Sequence, residues 1–410
     1  MKARLFTLAA VAATTLLSQG VAQSDSLERS LADLNSGLVA PAGNAGVTWG
    51  GDFRLRNDWA DNGDTTNNRD FDTRLRLTAA FAPTEDSSVF IGFNGSEAWG
   101  SAPLVADPEG DDDWTSGSST ATRVDRAYAS VNNLMGDGGT MKAGRDYYTY
   151  GSGNIIGSSD WGNNPSAQSG VWYSHDMGGL NMNFAMMNTP AGETGNGDNN
   201  PDNNGDNMFY VLSMDYALEA GALGTINLTP YAMRDESDAS RNWQGASLSG
   251  ELAGFGYDAE YTQFDSNTGT DGTAWSVSTS IDLEAMASIP GIADGGIAIT
   301  FSSADEEFEV SNDVVTHGVG GFADYSETGT WAGGKDITSF ALNFSPVDGW
   351  DGQIALHETE SAALNYTETD ISLGHDFGGN VSGWFGYAMI NDDAVAEDSA
   401  TFWTTLSLDF

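Results

Sequence analysis

Residues 401–410 alternate between apolar and polar side chains, and this alternation limits what the chain can fold into. The apolar members are Phe402, Leu406, Leu408 and Phe410, interrupted by Thr404. A period of two is the pattern of a β-strand with one apolar face and one polar face. Water-soluble proteins seldom end on such a strand with a terminal Phe. The pattern therefore favours a strand whose apolar face meets lipid, and the edge strand of a soluble sandwich is the alternative.

The same alternation appears in residues 47–59 and again in residues 71–81. In both segments aromatic side chains stand about ten positions apart on the apolar face. At roughly 3.4 Å per residue and a tilt near 40°, that spacing covers about 26 Å, close to the apolar band of a membrane-spanning barrel. The opposite, polar faces carry four arginines: Arg54, Arg56, Arg74 and Arg76.

Segments with this alternation recur along the rest of the chain. They lie near 87–98, 122–133, 139–149, 168–176, 179–188, 207–217, 223–234, 243–253, 255–265, 273–283, 292–303, 336–345, 349–359, 365–376, 380–390 and 400–410. The connections after odd-numbered segments include the long stretches, whereas those after even-numbered segments are mostly short. The sequence therefore predicts an all-β fold, a transmembrane antiparallel β-barrel of about 18 strands (16–18) over residues 46–410, with long extracellular loops and short periplasmic turns.

The amino terminus predicts export. Lys2 and Arg4 precede a short apolar run, and small residues end at Ala22, so residues 1–22 read as a signal peptide. Leucines at helical spacing predict a short periplasmic segment over 23–45, either a helix or a frayed tether. Zero Cys removes disulfides as a source of stability. A closed, hydrogen-bonded barrel supplies another source.

The formal net charge of −44 argues against nucleic-acid binding, which needs clustered Lys and Arg to contact phosphates. Acidic residues concentrate in the predicted loops. One Asp- and Asn-rich loop resembles calcium-coordinating sequences, because hard cations prefer several carboxylate and amide oxygens on a turn. Its carboxylates are Asp198, Asp202 and Asp206. A solvated polar loop is the alternative, and no other cofactor is expected.

Basic residues cluster in the first five predicted strands, which are neighbours in a rolled sheet. The candidates for a basic wall of the lumen are Arg54, Arg56, Arg74, Arg76, Arg126 and Arg145. The last strands contain Glu368 and Asp370, which we expect to face inward on an acidic wall. A barrel of this size leaves an aqueous channel unless loops fill it, and opposed charges across water set ion preference. The alternative is that the arginines pair with nearby aspartates and only fill the lumen.

No arrangement of residues points to an enzyme. The four His residues are scattered without the spacing of metal ligands, and no Cys is available as a nucleophile. Carboxylate pairs are too frequent among 59 acidic residues to indicate glycoside chemistry. We therefore expect a protein that is not an enzyme.

Two resemblances refine this expectation. The terminal strand resembles the signal that the barrel assembly machinery reads in bacterial outer-membrane β-barrels. Residues 50–175 resemble the alginate-export-like porin family, in which a Gly-Arg pair ends a strand and a Tyr-Gly and an Asp-Trp-x-Asn follow. The matching positions here are Gly144 and Arg145 at the end of the strand, followed by Tyr150, Gly151, Asp160, Trp161 and Asn163. The chain departs from the family at Asn154, where members usually carry a basic residue.

The resemblances imply a porin in the bacterial outer membrane, in contact with outer-membrane lipid and the barrel assembly machinery. Passive diffusion of ions and small hydrophilic solutes, including saccharides, is the implied function. Many porins form trimers, so a homotrimer is one implied assembly. A polysaccharide exporter of the alginate type and a plugged structural or adhesive surface barrel are the alternatives.

The terminal strand gives the first testable prediction. Deletion of Phe410, or Phe410→Asp, removes the terminal aromatic residue of the assembly signal. We expect the variant to remain in the periplasm, degraded or aggregated. Cell fractionation and heat-modifiable migration on gels measure this, and a normally migrating barrel in the outer-membrane fraction would refute the signal.

Overall fold

A computed structural model describes most of the predicted barrel. The described residues are 46–61, 68–99, 121–134, 136, 138–158, 167–188, 208–221, 224–236, 240–252, 254–267, 269, 271–283, 293–310, 331, 334–361, 365–392 and 399–410. The predicted signal peptide, the segment 23–45 and the calcium candidates Asp198, Asp202 and Asp206 lie outside these residues, as do Asp160, Trp161 and Asn163.

Eighteen antiparallel strands form one sheet that closes on itself. The strands are β1 (Val47–Asp61), β2 (Asn68–Thr84), β3 (Ser87–Trp99), β4 (Ala121–Leu134), β5 (Gly139–Asp146), β6 (Gln168–Asp176), β7 (Leu180–Asn188), β8 (Met208–Glu219), β9 (Thr225–Asp235), β10 (Arg241–Leu252), β11 (Phe255–Ser266), β12 (Asp271–Asp282), β13 (Ala293–Ala304), β14 (Lys335–Ser345), β15 (Trp350–Ser361), β16 (Asn365–Gly378), β17 (Val381–Asp392) and β18 (Ser399–Asp409). Each strand pairs with its neighbours in sequence, and β18 pairs with β1. The predicted fold, strand number and order are confirmed.

The two rims of the barrel differ in the length of their connections. The rim after even-numbered strands has turns as short as residues 85–86 and 379–380. The opposite rim carries the long stretches 100–120 and 305–334, although its connections 267–270 and 362–364 are short as well. The start of β1 and the end of β18 both lie at the rim with the short turns. This difference agrees with the predicted alternation.

The side chains alternate between an apolar outer face and an inner face, which is polar on β1 and β2. On the outside of β1 and β2, Phe53 and Leu75 are exposed, while Arg54 and Arg74 between them are buried on the inside. Leu406 and Leu408 of β18 are exposed on the outer face, and Trp403 is buried inside. Among the described residues, no helix is long and apolar enough to cross a membrane.

The seam between the first and last strands depends on Gly51 and Phe410. Their backbones exchange two hydrogen bonds, of 2.8 Å from Gly51 N to Phe410 O and 3.0 Å from Phe410 N to Gly51 O. A Cβ at position 51 would lie 2.2 Å from the Arg76 carbonyl oxygen and 2.9 Å from the Phe410 ring. Only glycine therefore lets the terminal residue close the seam.

The register of the faces gives the second prediction. Leu75→Arg places a charge on the outer face near the middle of β2, which we expect to cost about 2–4 kcal/mol in a bilayer. Thr78→Arg, on the inner face of the same strand, should cost much less because the lumen solvates the charge. Chemical unfolding of the protein refolded into lipid vesicles measures both.

The pair Leu406→Arg and Ser407→Arg repeats the comparison on β18. Equal destabilisation on the two faces would mean that the register is wrong by one residue, since such a slip exchanges the faces.

Candidate functional site

The inner faces of β1 and β2 form a compact group of charges. Arg54 lies directly opposite Arg74 in the antiparallel register, so two like charges share one row. Neighbouring rows pair opposite charges, Asp52 with Arg76 and Arg56 with Asp72. Like charges on facing positions destabilise a sheet unless carboxylates lie close by. Asp52 and Asp72, in the rows on either side, supply the carboxylates that allow four arginines to share this wall.

Ion pairs hold most of these arginines in place. Arg56 contacts Asp72 at 2.8 Å through Nη2 and at 2.9 Å through Nε. Its Nε also lies 2.9 Å from Asp58. Arg74 Nη2 donates to Asp52 at 3.2 Å, and Arg76 lies 4.0 Å from the same carboxylate. The guanidinium groups are therefore fixed against the wall rather than extended freely into the lumen.

A β-bulge adds Arg126 to this group. The register between β3 and β4 shifts between Gly92 and Phe93, and both Asp125 and Arg126 are buried on the inner side of β4. The Arg126 guanidinium stands 4.8 Å from the centre of the Phe90 ring and 4.9 Å from that of Tyr147. We call the inward arginines Arg54, Arg56, Arg74, Arg76 and Arg126 the arginine wall.

Arg145 does not belong to the arginine wall, and the expectation that it lines the lumen is wrong. On β5, Lys142 and Asp146 face inward and form an ion pair of 2.7 Å. Arg145 follows the opposite face and pairs in register with Ala127 of β4 and Ser169 of β6. Closeness in sequence placed it with the other arginines, but strand alternation sends its side chain to the outer face.

The predicted acidic residues lie together on a separate part of the inner face. Glu368 and Asp370 of β16 are 3 % and 1 % exposed. The His357 ring of β15 lies between this strand and β14, with Nε2 3.3 Å from Asp370 and Nδ1 2.9 Å from the Ser339 hydroxyl. The described residues of β15 to β18 contain no Lys or Arg. The inner face thus has a basic part and an acidic part, joined across β17 and β18.

Residues 147–158, which follow β5, fold into the barrel, and we call them the inward segment. The sequence predicted a strand to residue 149, but the strand ends at Asp146. The Asp146 carboxylate accepts a 2.9 Å hydrogen bond from Tyr147 N, and a turn follows in which Gly153 N donates to Tyr150 O at 2.9 Å. The local polar side chains and glycines therefore stop the strand and turn the chain back.

Tyr147 attaches the inward segment to the arginine wall. Its hydroxyl donates a short hydrogen bond to Asp125, and its ring lies under Arg126 and 5.8 Å from the Arg76 guanidinium. Burial raises the pKa of the Tyr147 hydroxyl, so the group stays protonated and remains a donor.

Glu260 of β11 anchors the turn in the middle of the inward segment. The Ser152 hydroxyl donates to Glu260 at 2.8 Å, and the Tyr231 hydroxyl of β9 donates to the same carboxylate at 2.7 Å. The Tyr150 ring meets the Tyr231 ring edge to face, with 5.0 Å between centroids. The segment therefore extends from β4 to β11 inside the barrel.

After Ser152 the inward segment packs on an apolar lining. Ile155 and Ile156 are buried against inner side chains of β6 to β13, together with Phe308 and Trp331 from the stretch after β13. Further members are Trp172, Ala185, Met187, Phe209, Val211, Tyr231, Met233, Trp243, Phe264, Ala274 and Ala304. One part of the barrel interior is thus a packed apolar core, and the arginine wall and the acidic residues lie on the other part.

Three residues of the motif that resembles the alginate-export-like family, Gly144, Tyr150 and Gly151, lie at or next to the inward segment. Gly144 has a φ of 138°, and a Cβ there would lie 2.2 Å from the Ala127 carbonyl oxygen, so only glycine fits against Tyr128. Tyr150 and Gly151 form the turn of the inward segment. These three residues therefore shape the segment and its entry.

Comparison with known proteins shows similarity in structure but not in sequence. No family model and no curated protein matches the chain. Pseudomonas aeruginosa OccK11 (OpdR) matches with a TM-score of 0.60 at 12% identity, over 88% of this chain and 96% of that chain. P. aeruginosa OpdK, solved with vanillate, matches with a TM-score of 0.60 at 11% identity, over 88% and 99%. Acinetobacter baumannii OccAB1 matches with a TM-score of 0.60 at 11% identity, over 89% of this chain and 96% of that chain.

These TM-scores, over most of both chains, establish a shared barrel fold. A further structure, described as the outer membrane protein OpdK from P. aeruginosa, gives a TM-score of 0.62 at 10% identity, over 88% of this chain and 98% of that chain. The bacterial β-barrel part of the resemblance is supported. Membership of the alginate-export-like family gains no support and stays a prediction.

The anchor at Glu260 gives the third prediction. Glu260→Ala removes the acceptor of the Ser152 hydroxyl, the hydrogen bond that ties the inward segment to β11. Loss of one partner of such a bond costs about 1–3 kcal/mol, so we expect the inward segment to open roughly fivefold more often or more. Because the chain has no Cys, Ile155→Cys introduces a single buried thiol whose rate of modification by a water-soluble maleimide reports the opening.

Two controls accompany this measurement. Glu260→Gln keeps an acceptor and should give a smaller increase, and Asp258→Asn removes a carboxylate on the same face without removing that bond. Equal labelling rates in the Glu260→Ala and parent proteins would show that Glu260 does not hold the segment.

Proposed function

We propose that the protein is a porin of the bacterial outer membrane, a passive diffusion channel for ions and small hydrophilic solutes. The observation that carries the proposal is a closed 18-stranded barrel with exposed apolar side chains outside and charged side chains inside. In a membrane, closure satisfies the hydrogen bonds of every strand edge. The fold shared with an outer membrane protein from P. aeruginosa supports the same location.

The route that we propose for solutes follows the polar part of the interior. The inward segment and the apolar core occupy the inner faces of β6 to β13. Around the remaining part, the arginine wall lies on β1, β2 and β4, and Glu368 and Asp370 lie on β16, all of them largely buried among neighbouring side chains. Such opposed charges create a field across the passage, which orients charged and dipolar solutes.

The arginine wall supports a preference for anions within this channel. Two charges about 8 Å apart at an effective dielectric near 40 interact by roughly 1 kcal/mol, so several aligned guanidinium groups alter ion preference several-fold. Asp52, Asp58 and Asp72 offset part of this charge. OpdK, which shares the fold, was solved with vanillate, a small aromatic carboxylate. Small carboxylates are therefore the anions that we would test first.

The two alternatives receive less support. An exporter of a polyanionic polysaccharide would need a basic lumen all round, whereas Glu368 and Asp370 lie among strands whose described residues lack Lys and Arg. A plugged structural barrel would not conduct. Single-channel conductance of the refolded protein in a planar bilayer separates this last class from both kinds of channel.

The arginine wall gives the fourth prediction. Replacement of Arg54, Arg56, Arg74 and Arg76 by Ser leaves their aspartate partners unneutralised. We expect reversal potentials in a salt gradient to move toward cation selectivity near 0.1 M salt, where the Debye length is about 10 Å. The shift should almost vanish near 1 M, where that length is about 3 Å.

The matched control replaces the same four arginines by Lys, which preserves the charge and should preserve the selectivity. An unchanged reversal potential in the Ser variant would mean that the arginines only fill the lumen. A parent protein without any conductance would favour the plugged barrel.

A further inference from the structure

Trp384 differs from the other large aromatic residues on the inner face of the barrel. It lies on β17, in register with the inward-facing Gly374 of β16 and Thr405 of β18. Its side chain is 45% exposed, whereas the inward Trp403 on β18 is 2% exposed. An indole left open on the inside of a barrel cannot be explained by contact with lipid.

The indole of Trp384 lies flat on the wall. A Cβ built on Gly374 would stand 2.9, 3.0 and 3.1 Å from Cε2, Cζ2 and Cδ2 of the ring. Three such similar distances mean that the ring turns its face, not its edge, toward the glycine. Gly374 therefore makes room for the ring, and the opposite face of the indole points into the lumen.

The inner wall beside Trp384 is lined by small side chains up to the arginine wall. Ser382 of β17 pairs with Ser407 of β18, and Ser407 pairs with Arg54 of β1. One row further, Thr405 separates Trp384 from Arg56. Two inter-strand spacings amount to about 10 Å. The exposed indole and the positions of Arg54 and Arg56 are therefore separated by only one strand along the inner wall.

We propose that Trp384 is a stacking platform for solutes that contain a six-membered ring and an acidic group. The ring lies on the exposed face of the indole, and the acidic group is directed across β18 toward the arginine wall. A rigid indole already fixed on Gly374 loses little conformational entropy when it binds a ring. The inference rests on the proposed channel and adds a residue that selects among its solutes.

The test uses benzoate, glucuronate and hexanoate, which present an aromatic ring, a sugar ring and no ring beside one carboxylate. Each is titrated as a blocker of single-channel current and, separately, as a ligand of the protein in detergent micelles. We expect Trp384→Ala to weaken benzoate or glucuronate, or both, by roughly two- to tenfold. Hexanoate should be unaffected, and the ring that loses affinity identifies the class of solute.

Two variants complete the experiment. Trp384→Phe keeps an aromatic face and should retain most of the ring preference. Phe385→Ala removes a ring from the outer face of the same strand and should change nothing. Unchanged affinities in Trp384→Ala, or an equal loss for all three probes, would overturn the platform. Absence of conductance in the parent protein would overturn the channel alone, because the micelle titration still tests Trp384.

Discussion

The hydrogen-bond ladder between β1 and β18 is the constraint on which the rest of the structure depends. Strand edges left open in a bilayer would expose backbone groups that no water can satisfy. Closure removes both edges at once. It also fixes which side chains face inward, because residues paired in register on neighbouring strands lie on the same face. The seam needs a residue without a side chain at Gly51, whose backbone exchanges two hydrogen bonds with that of Phe410. A chain without Cys has no disulfide to replace this closure.

The fold could be predicted from the sequence because its signals are local. Alternation with a period of two identifies a strand and its face within about ten residues, as Arg74 and Leu75 illustrate. The alternation of long and short connections then distinguishes the two rims of an up-and-down barrel. The inward direction of Arg54 and Arg74 follows from the same alternation. The prediction for Arg145 was wrong because it grouped arginines by their position in the sequence and ignored the face that the alternation assigns to each one.

The interior could not be predicted because it depends on contacts between distant residues. The inward segment is held by Glu260, 108 residues beyond Ser152, and no local pattern indicates such a bond. Residues 208–212 did indicate the apolar core inside the barrel. They are apolar without alternation, so they need apolar surroundings on both faces of the strand. Arg126 depends on a β-bulge near Gly92, which shifts the alternation by one residue. The flat indole of Trp384 likewise depends on a glycine in another strand.

The inward segment links the two parts of the interior. At one end it completes the apolar core through Ile155 and Ile156, and at the other Tyr147 holds Asp125 and lies beneath Arg126. A movement of this segment would therefore change the free cross-section and the position of a guanidinium group together. The size and the charge of the passage are consequently not independent properties of this barrel. We therefore expect a substitution at Glu260 that releases the segment to alter both.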